Sequence, residues 1–186
     1  KELLVNMSEV RAEFEALGGE FTVHDEPQEI HPGVWITGPI PRVHDERNWT
    51  KFNRIEMDGG FEEDTLPEDQ ALVIDTADGL VVVAGCGHSG IVNTMEYARE
   101  ITGGKPILAV IGGFHMMSLT DEKVAWTGDK MRDYGVQHVV GAHCTGINAV
   151  SGLREAGGLD RGHAVVGAVG STFVVGEGIK PGLLTR

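Results

Sequence analysis

Three segments of the sequence share one layout, in which an apolar run is followed by small residues and then by a histidine. The segments are Ala84-Gly-Cys-Gly-His88, Ile111-Gly-Gly-Phe-His115 and Val140-Gly-Ala-His143. Successive histidines are separated by roughly 30 residues, the length of one strand-helix-strand unit. If the three apolar runs are parallel strands, the histidines emerge at one edge of the sheet, where α/β proteins hold their ligands.

Histidines that converge at strand ends are common ligands of Zn, Mn or Fe ions, and small neighbouring residues let backbone and solvent approach the ion. We therefore predict a metal site formed by His88, His143 and His115. His143 is the strongest candidate, whereas His115 can equally act on substrate or support a ligand. The other histidines follow no such strand and are interpreted as surface residues: His24, His31, His44, His138 and His163.

Each of these residues also has an ordinary structural interpretation. A single histidine near a strand end is often only hydrogen-bonded or solvated. Cys86 can supply a thiolate ligand, but small cysteines after strands are usually packing residues, and we favour packing for Cys86 and Cys144. Asp75 ends an apolar run and is interpreted as a turn residue.

A second motif occupies the first of these segments. Gly85-Cys-Gly-His-Ser-Gly90 matches the G-x-G-x-x-G pattern of dinucleotide-binding proteins, after a strand and before a helix. In such proteins the next strand ends in an acidic residue that holds the ribose, whereas Ile107 to Ile111 is followed by two glycines. Dinucleotide binding is therefore the less favoured interpretation.

Composition limits the class of protein. The chain has 186 residues, of which 41% are apolar, so it suits one domain or a large part of one. The net charge of −13 makes nucleic acid and anionic membrane surfaces unfavourable partners. The apolar runs fall short of the roughly 20 residues that a membrane helix needs. Two cysteines do not form a disulfide framework, which favours a cytoplasmic setting.

Hydrophobic periodicity and turn residues predict alternating strands and helices. Asp78-Gly79 is a hairpin signal between two of the strands. The predicted strands are residues 21–23, 34–37, 71–74, 80–84, 107–111, 138–140 and 172–175; the predicted helices are 8–17, 91–101, 120–134 and 147–156. The acidic stretch 41–69 is predicted to be a long loop that shapes a pocket.

Three motifs resemble one family in particular. Gly85-Cys-Gly-His-Ser-Gly90, Ile111-Gly-Gly-Phe-His115 and Ala142-His-Cys-Thr-Gly146 are similar to the dihydropterin/ribofuranosylaminobenzene phosphate synthase-like branch of the metallo-β-lactamase superfamily. The resemblance extends over nearly the whole chain and includes Gly38-Pro-Ile-Pro-Arg42. It implies an α/β fold, the carboxyl-terminal portion of a metallo-β-lactamase-like αββα sandwich with a mixed sheet.

The resemblance also implies roles for single residues. His88 and His143 would be metal ligands, His115 would lie in or beside the site, and Arg42 would contact a substrate anion. The complete site of the family implies two ions, with Zn the first expectation and Mn or Fe the alternatives.

One part of the family pattern is missing, because the run His-x-His-x-Asp-His does not occur in residues 1–186. Together with Lys1 at the first position, this indicates a fragment, a split subunit or a truncated remnant. We expect a metal-dependent hydrolase that cleaves an ester or phosphoester with a metal-activated water, and a pterin-related phosphate ester is one candidate substrate. The alternative is a non-catalytic half-domain that needs a complementary N-terminal chain or its own twin.

Overall fold

A computed structural model describes residues 7–48 and 52–183. Its elements are α1 (Met7–Ala16), β1 (Gln28–His31), β2 (Val34–Ile36), β3 (Arg54–Met57), β4 (Gly60–Glu63), β5 (Ala71–Thr76), β6 (Gly79–Ala84), α2 (Ile91–Ile101), β7 (Ile107–Gly113), α3 (Asp121–Asp133), β8 (His138–Ala142), α4 (Ile147–Ala156), β9 (Ala164–Val166), β10 (Thr172–Val174) and β11 (Gly178–Lys180). The predicted helices 91–101 and 147–156 are confirmed as α2 and α4, with the same bounds.

A seven-stranded sheet in the order β1-β2-β5-β6-β7-β8-β9 forms the centre of the fold. The first strands are antiparallel, including the hairpin of β5 and β6 around Asp78-Gly79. From β6 to β9 the strands are parallel and follow chain order, with α2, α3 and α4 as the crossovers. The predicted α/β class with a mixed sheet is confirmed.

The three crossover helices cover one face of this sheet. Ile91 and Met95 of α2, Met131 of α3 and Leu153 of α4 are fully buried in one cluster with Val82 of β6. The crossover between two parallel strands is right-handed. When successive parallel strands are added in one direction across the sheet, all crossover helices therefore lie on the same face. The main core therefore lies between this helix layer and the sheet.

The opposite face of the sheet is also apolar. Val81 and Leu108 are buried there in a small second cluster, whereas Val83 and Ile111 are only partly buried. Phe173, in the hairpin of β10 and β11, packs against this cluster. Strands that are apolar on both faces are typical of sheets covered on both sides. In the described part of the chain, the second face is covered less completely than the first.

The structure differs from the sequence predictions at several strands. Residues 21–23 form no strand, and Phe21 packs edge-on against Phe14 of α1 at 5.2 Å between ring centroids. The stretch 41–69 is not all loop, because β3 and β4 form a hairpin around Asp58 and Gly59. Residues 49–51 of that stretch lie outside the described residues. The predicted last strand, now β10, pairs with β11 in a separate sheet, and β9 was not predicted.

None of the helices in residues 7–48 and 52–183 combines the length and the apolarity that crossing a bilayer requires. The cytoplasmic setting stays a prediction.

The close approach of β6 and β7 generates the first testable prediction. Gly112 has φ 126, and a Cβ atom there would overlap the carbonyl oxygen of Ala84. We expect Gly112→Ala to lower the free energy of unfolding by at least about 2 kcal/mol, since strain and steric overlap add. Gly85→Ala is the matched control, because a Cβ at Gly85 meets open space. Urea unfolding of both variants would contradict this account if they were equally stable.

Candidate metal centre

The parallel register brings the three histidine motifs to the same edge of the sheet. Ala84 pairs with Gly112, and Gly113 pairs with Ala142, so β6, β7 and β8 end side by side. The loops that follow these strands carry His88, His115 and His143, respectively. The predicted layout of three parallel strands with histidines at their carboxyl ends is therefore what the structure has.

Two of the three histidines lie close to the same cysteine, and the third, His88, lies against one of these two. The ring centroids of His88 and His115 are 4.8 Å apart. The Sγ atom of Cys86 lies 3.3 Å from Nδ1 of His115 and 3.8 Å from Nδ1 of His143. His88 and His115 are half-buried and His143 is exposed. The structure thus brings the predicted residues together, and their assignment as metal ligands stays a prediction.

Both cysteines take part in this cluster. The Sγ atoms of Cys86 and Cys144 are 2.8 Å apart, and the backbone N–H of His115 donates to Sγ of Cys144 at 3.2 Å. The ligand atoms of Cys86, His115 and Cys144 all lie within 4.8 Å of one another. Sequence reasoning favoured packing for both cysteines and left them out of the site. The available signal was their position inside two of the three histidine motifs.

The backbone at the histidines is strained. His115 has φ 47 and His143 has φ 50, in the left-handed region that residues other than glycine rarely adopt. Two hydrogen bonds of the Thr145 hydroxyl hold these turns: it accepts from the N–H of Phe114 at 3.1 Å and donates to the carbonyl of Gly112 at 3.2 Å. Such strain persists only where the surroundings enforce it, and it concentrates at functional sites.

A pair of side chains fixes the loop that carries His88. The carboxylate of Asp69 accepts the backbone N–H of Ser89 at 2.7 Å. The Asn93 side chain donates to the carbonyl of the same residue, Ser89, at 2.8 Å. Hydrogen bonds of this kind orient a candidate ligand through its neighbours. The position of His88 is therefore defined before any ion binds.

Glu46 supports the same loop from the start of α2. Its carboxylate accepts the backbone N–H groups of Val92 at 3.2 Å and Asn93 at 2.8 Å, which satisfies two free donors of the first turn. Burial raises the pKa of Glu46 to about 7, although these hydrogen bonds and the nearby His44 and Lys123 act in the opposite direction. The helix start is therefore held by a carboxyl group that titrates near neutral pH.

Burial shifts the pKa values of two groups in the cluster toward their neutral forms. Burial, together with the nearby His88 and His143, lowers the pKa of His115. Burial and the proximity of Cys144 raise the pKa of the Cys86 thiol to about 12. A divalent cation reverses this balance, because it stabilises a thiolate and binds the lone pair of a neutral imidazole.

The donor set fits such an ion. Zn–S bonds of about 2.3 Å and Zn–N bonds of about 2.0 Å place tetrahedral ligand atoms about 3.5 Å apart. The sulfur-to-nitrogen distances around Cys86 are 3.3 and 3.8 Å. The sulfur atoms of Cys86 and Cys144, at 2.8 Å, would have to move apart for both to bind the same ion. Nitrogen and sulfur donors together favour Zn or another thiophilic ion over Mg or Ca.

Other residues considered from the sequence have different contacts. The guanidinium of Arg42 donates to the carbonyls of Thr65 at 2.5 Å and Leu66 at 3.2 Å, and its role toward a substrate anion stays a prediction. Asp75 forms an ion pair with Lys105 at 2.6 Å. Among the remaining histidines, His44 pairs with Glu96, and His138 stacks on His163 with ring centroids 4.9 Å apart.

Two cavities in the described residues lie away from the cluster. A cavity of about 430 Å³ is lined by His138, Phe173 and Glu177, at the opposite end of β8 from His143. A smaller one of about 170 Å³ lies beside Glu46 and Trp126. Neither of these two cavities includes a residue of the histidine and cysteine cluster.

The strand order does not favour dinucleotide binding. Dinucleotides bind where the strand order of a parallel sheet reverses and helices change sides. From β6 to β9 the described sheet continues in one direction. The N–H of Ser89, inside the G-x-G-x-x-G loop, is already bound by Asp69.

Comparison with known proteins found two sequence relatives in Methanocaldococcus jannaschii. The 7,8-dihydropterin-6-methyl-4-(β-D-ribofuranosyl)-aminobenzene-5′-phosphate synthase is 31% identical over 150 residues, which are 78% of this chain and 51% of the synthase. An uncharacterized protein is 30% identical over 146 residues, which are 77% of this chain and 52% of that protein. No family model matches the chain.

A solved structure shares the fold. The crystal structure of a metal-dependent hydrolase of the β-lactamase superfamily matches with a TM-score of 0.63 and 31% identity, over 74% of this chain and 52% of that one. The chain spans about half the length of the relatives it matches.

The buried carboxyl group of Glu46 generates a prediction about pH. Its pKa in the folded protein, about 7, is above its ordinary value of 4.5, so the folded state binds more protons between these two values. Folding stability is therefore expected to fall as pH rises from 4.5 to 7, by up to about 3 kcal/mol. Glu46→Gln should lose this dependence. Urea unfolding at a series of pH values would contradict the account if the two proteins followed parallel curves.

Proposed function

Because this chain is a homologue of the dihydropterin-linked phosphate synthase and a structural neighbour within the metallo-β-lactamase superfamily, we propose that it is the metal-binding half of a metal-dependent hydrolase. The proposed substrates are esters or phosphoesters, with pterin-related phosphate esters first among them. The observation that carries the proposal is that His115 and His143 lie close to Cys86, with His88 against His115, at one edge of the sheet.

The proposal assigns the ligands to residues of this chain. His88, His143 and His115 would hold metal, and Cys86 joins them because its sulfur lies between two of the imidazoles. Zn is the expected ion, with Mn or Fe as alternatives and two ions in the complete site. When bound, such an ion lowers the pKa of a water molecule and polarises an ester or phosphoester oxygen.

His115 and Arg42 have further proposed roles. The lowered pKa of His115 keeps its imidazole neutral near pH 7, so the ring keeps a lone pair for an ion or a proton. His115 is therefore the proposed catalytic residue as well as a ligand. Arg42 is the proposed contact for a substrate anion, because its guanidinium matches the geometry of a phosphate or carboxylate.

The site needs more than the residues described here. The run His-x-His-x-Asp-His is absent from residues 1–186, and the chain matches about half of each relative. Val83 and Ile111 are only partly buried on the second face of the sheet. We propose that a complementary N-terminal segment or chain, or a second copy, covers this face and completes the site.

The second candidate function is a non-catalytic half-domain that acts as a binding module. The apolar second face of the sheet favours it, because such a face is suited to a partner. Metal binding by this chain discriminates the two candidates, since a module that only binds a partner has no need of the cluster.

Metal binding generates a prediction with a spectroscopic readout. We expect the purified, reduced chain to bind Co²⁺ and to develop the charge-transfer absorption of a cobalt-thiolate bond. Cys86→Ser should lose that absorption, and His143→Ala should weaken Co²⁺ binding by at least about tenfold. His163→Ala is the matched control, because His163 pairs with Asp160 away from the cluster. A Co²⁺ spectrum that is unchanged in Cys86→Ser would contradict the assignment of Cys86.

Activity generates a prediction about the missing half. We expect slow cleavage of bis(p-nitrophenyl) phosphate by the chain with Zn²⁺ or Mn²⁺, and a large increase when the amino-terminal half of the relatives is added. The increase should be lost in His88→Ala and kept in His163→Ala. If both halves associate in gel filtration, bind metal and still cleave none of a panel of esters and phosphoesters, the hydrolase proposal fails and the binding module remains.

A further inference from the structure

The two cysteines of the chain are far apart in sequence and in contact in space. Cys86 follows β6 and Cys144 follows β8, yet their sulfur atoms are 2.8 Å apart, inside van der Waals contact. Both are free thiols. Gly113, the last residue of β7, leaves room for this contact, because a Cβ there would lie 3.0 Å from Sγ of Cys144 and 3.2 Å from Cα of Cys86.

We propose that Cys86 and Cys144 are a site of reversible oxidation, at which a disulfide forms and removes both sulfurs from the metal centre. This inference rests on the proposed function only in its second part, the competition with metal. The disulfide itself rests on the contact between the two thiols. No other cysteine is present in the sequence to form a competing bond within the chain.

The reaction balances with hydrogen peroxide as the oxidant. The half-exposed Cys86 sulfur attacks the peroxide, which gives a sulfenic acid and water. The sulfur of Cys144, which is 4% exposed, then displaces the second water and forms the S–S bond. Two thiols and one peroxide are converted into one disulfide and two waters.

The consequence for the metal centre follows from the same contacts. In the reduced chain the Cys86 sulfur lies within 4 Å of both His115 and His143 and is available as a thiolate ligand. A disulfide sulfur carries no negative charge and is a poor ligand for Zn. Metal binding and disulfide formation therefore compete. The disulfide lowers the metal affinity by the same factor by which the bound metal lowers the equilibrium constant for disulfide formation.

The test uses the full chain, reduced and freed of metal, and exposed to graded hydrogen peroxide. Intact mass should fall by about 2 Da without dimer formation, and a dithiol should restore it. Cys86→Ser and Cys144→Ser should not show this change. Prior loading with Zn²⁺ should slow disulfide formation by at least tenfold, and the oxidised chain should bind Co²⁺ at least tenfold more weakly than the reduced one.

The outcomes separate this inference from the proposed function. If peroxide gives only sulfinic or sulfonic acids, or disulfides only between chains, the inference is overturned even where Co²⁺ binding to the reduced chain supports the metal centre. If the disulfide forms but Zn²⁺ does not slow it, the competition is overturned. If the reduced chain binds no Co²⁺ and still forms the disulfide, the metal centre fails while the oxidation site stands.

Discussion

The parallel pairing of β6, β7 and β8 is the constraint on which the site depends. A parallel ladder aligns the carboxyl ends of its strands, so a residue that follows each strand emerges at the same edge. Gly112 allows this pairing, because any side chain there would overlap the backbone of β6. A change of register by one residue would turn His88, His115 and His143 away from one another.

Much of this arrangement follows from local sequence signals. Asp78-Gly79 predicts the hairpin that precedes β6, and the apolar faces of α2 and α4 predict helices whose bounds the structure reproduces. Helices between apolar strands imply parallel crossovers, which is why the common edge of His115 and His143 was predictable. These signals act within about 30 residues of chain, the scale on which a single sequence is informative.

The parts that could not be predicted are contacts between distant segments. Cys86 and Cys144 belong to different motifs, and only the folded sheet brings their sulfurs together. Glu46 lies more than 40 residues from the helix start that it caps, so no local capping pattern in the sequence predicts this contact. The hairpin of β3 and β4 was missed for another reason: its side chains are exposed, and the apolar alternation that marks a strand is therefore weak.

The hydrogen bonds around the cluster arrange its nitrogen and sulfur donors in advance. Asp69 and Glu46 fix the loop of His88, and strained turns held by Thr145 fix His115 and His143, so little ordering remains for an ion to impose. Burial favours the neutral thiol of Cys86 and the neutral imidazole of His115. In the proposed function, further ligands and walls would come from a second half. The apolar second face of the sheet is the surface on which we propose that this half packs.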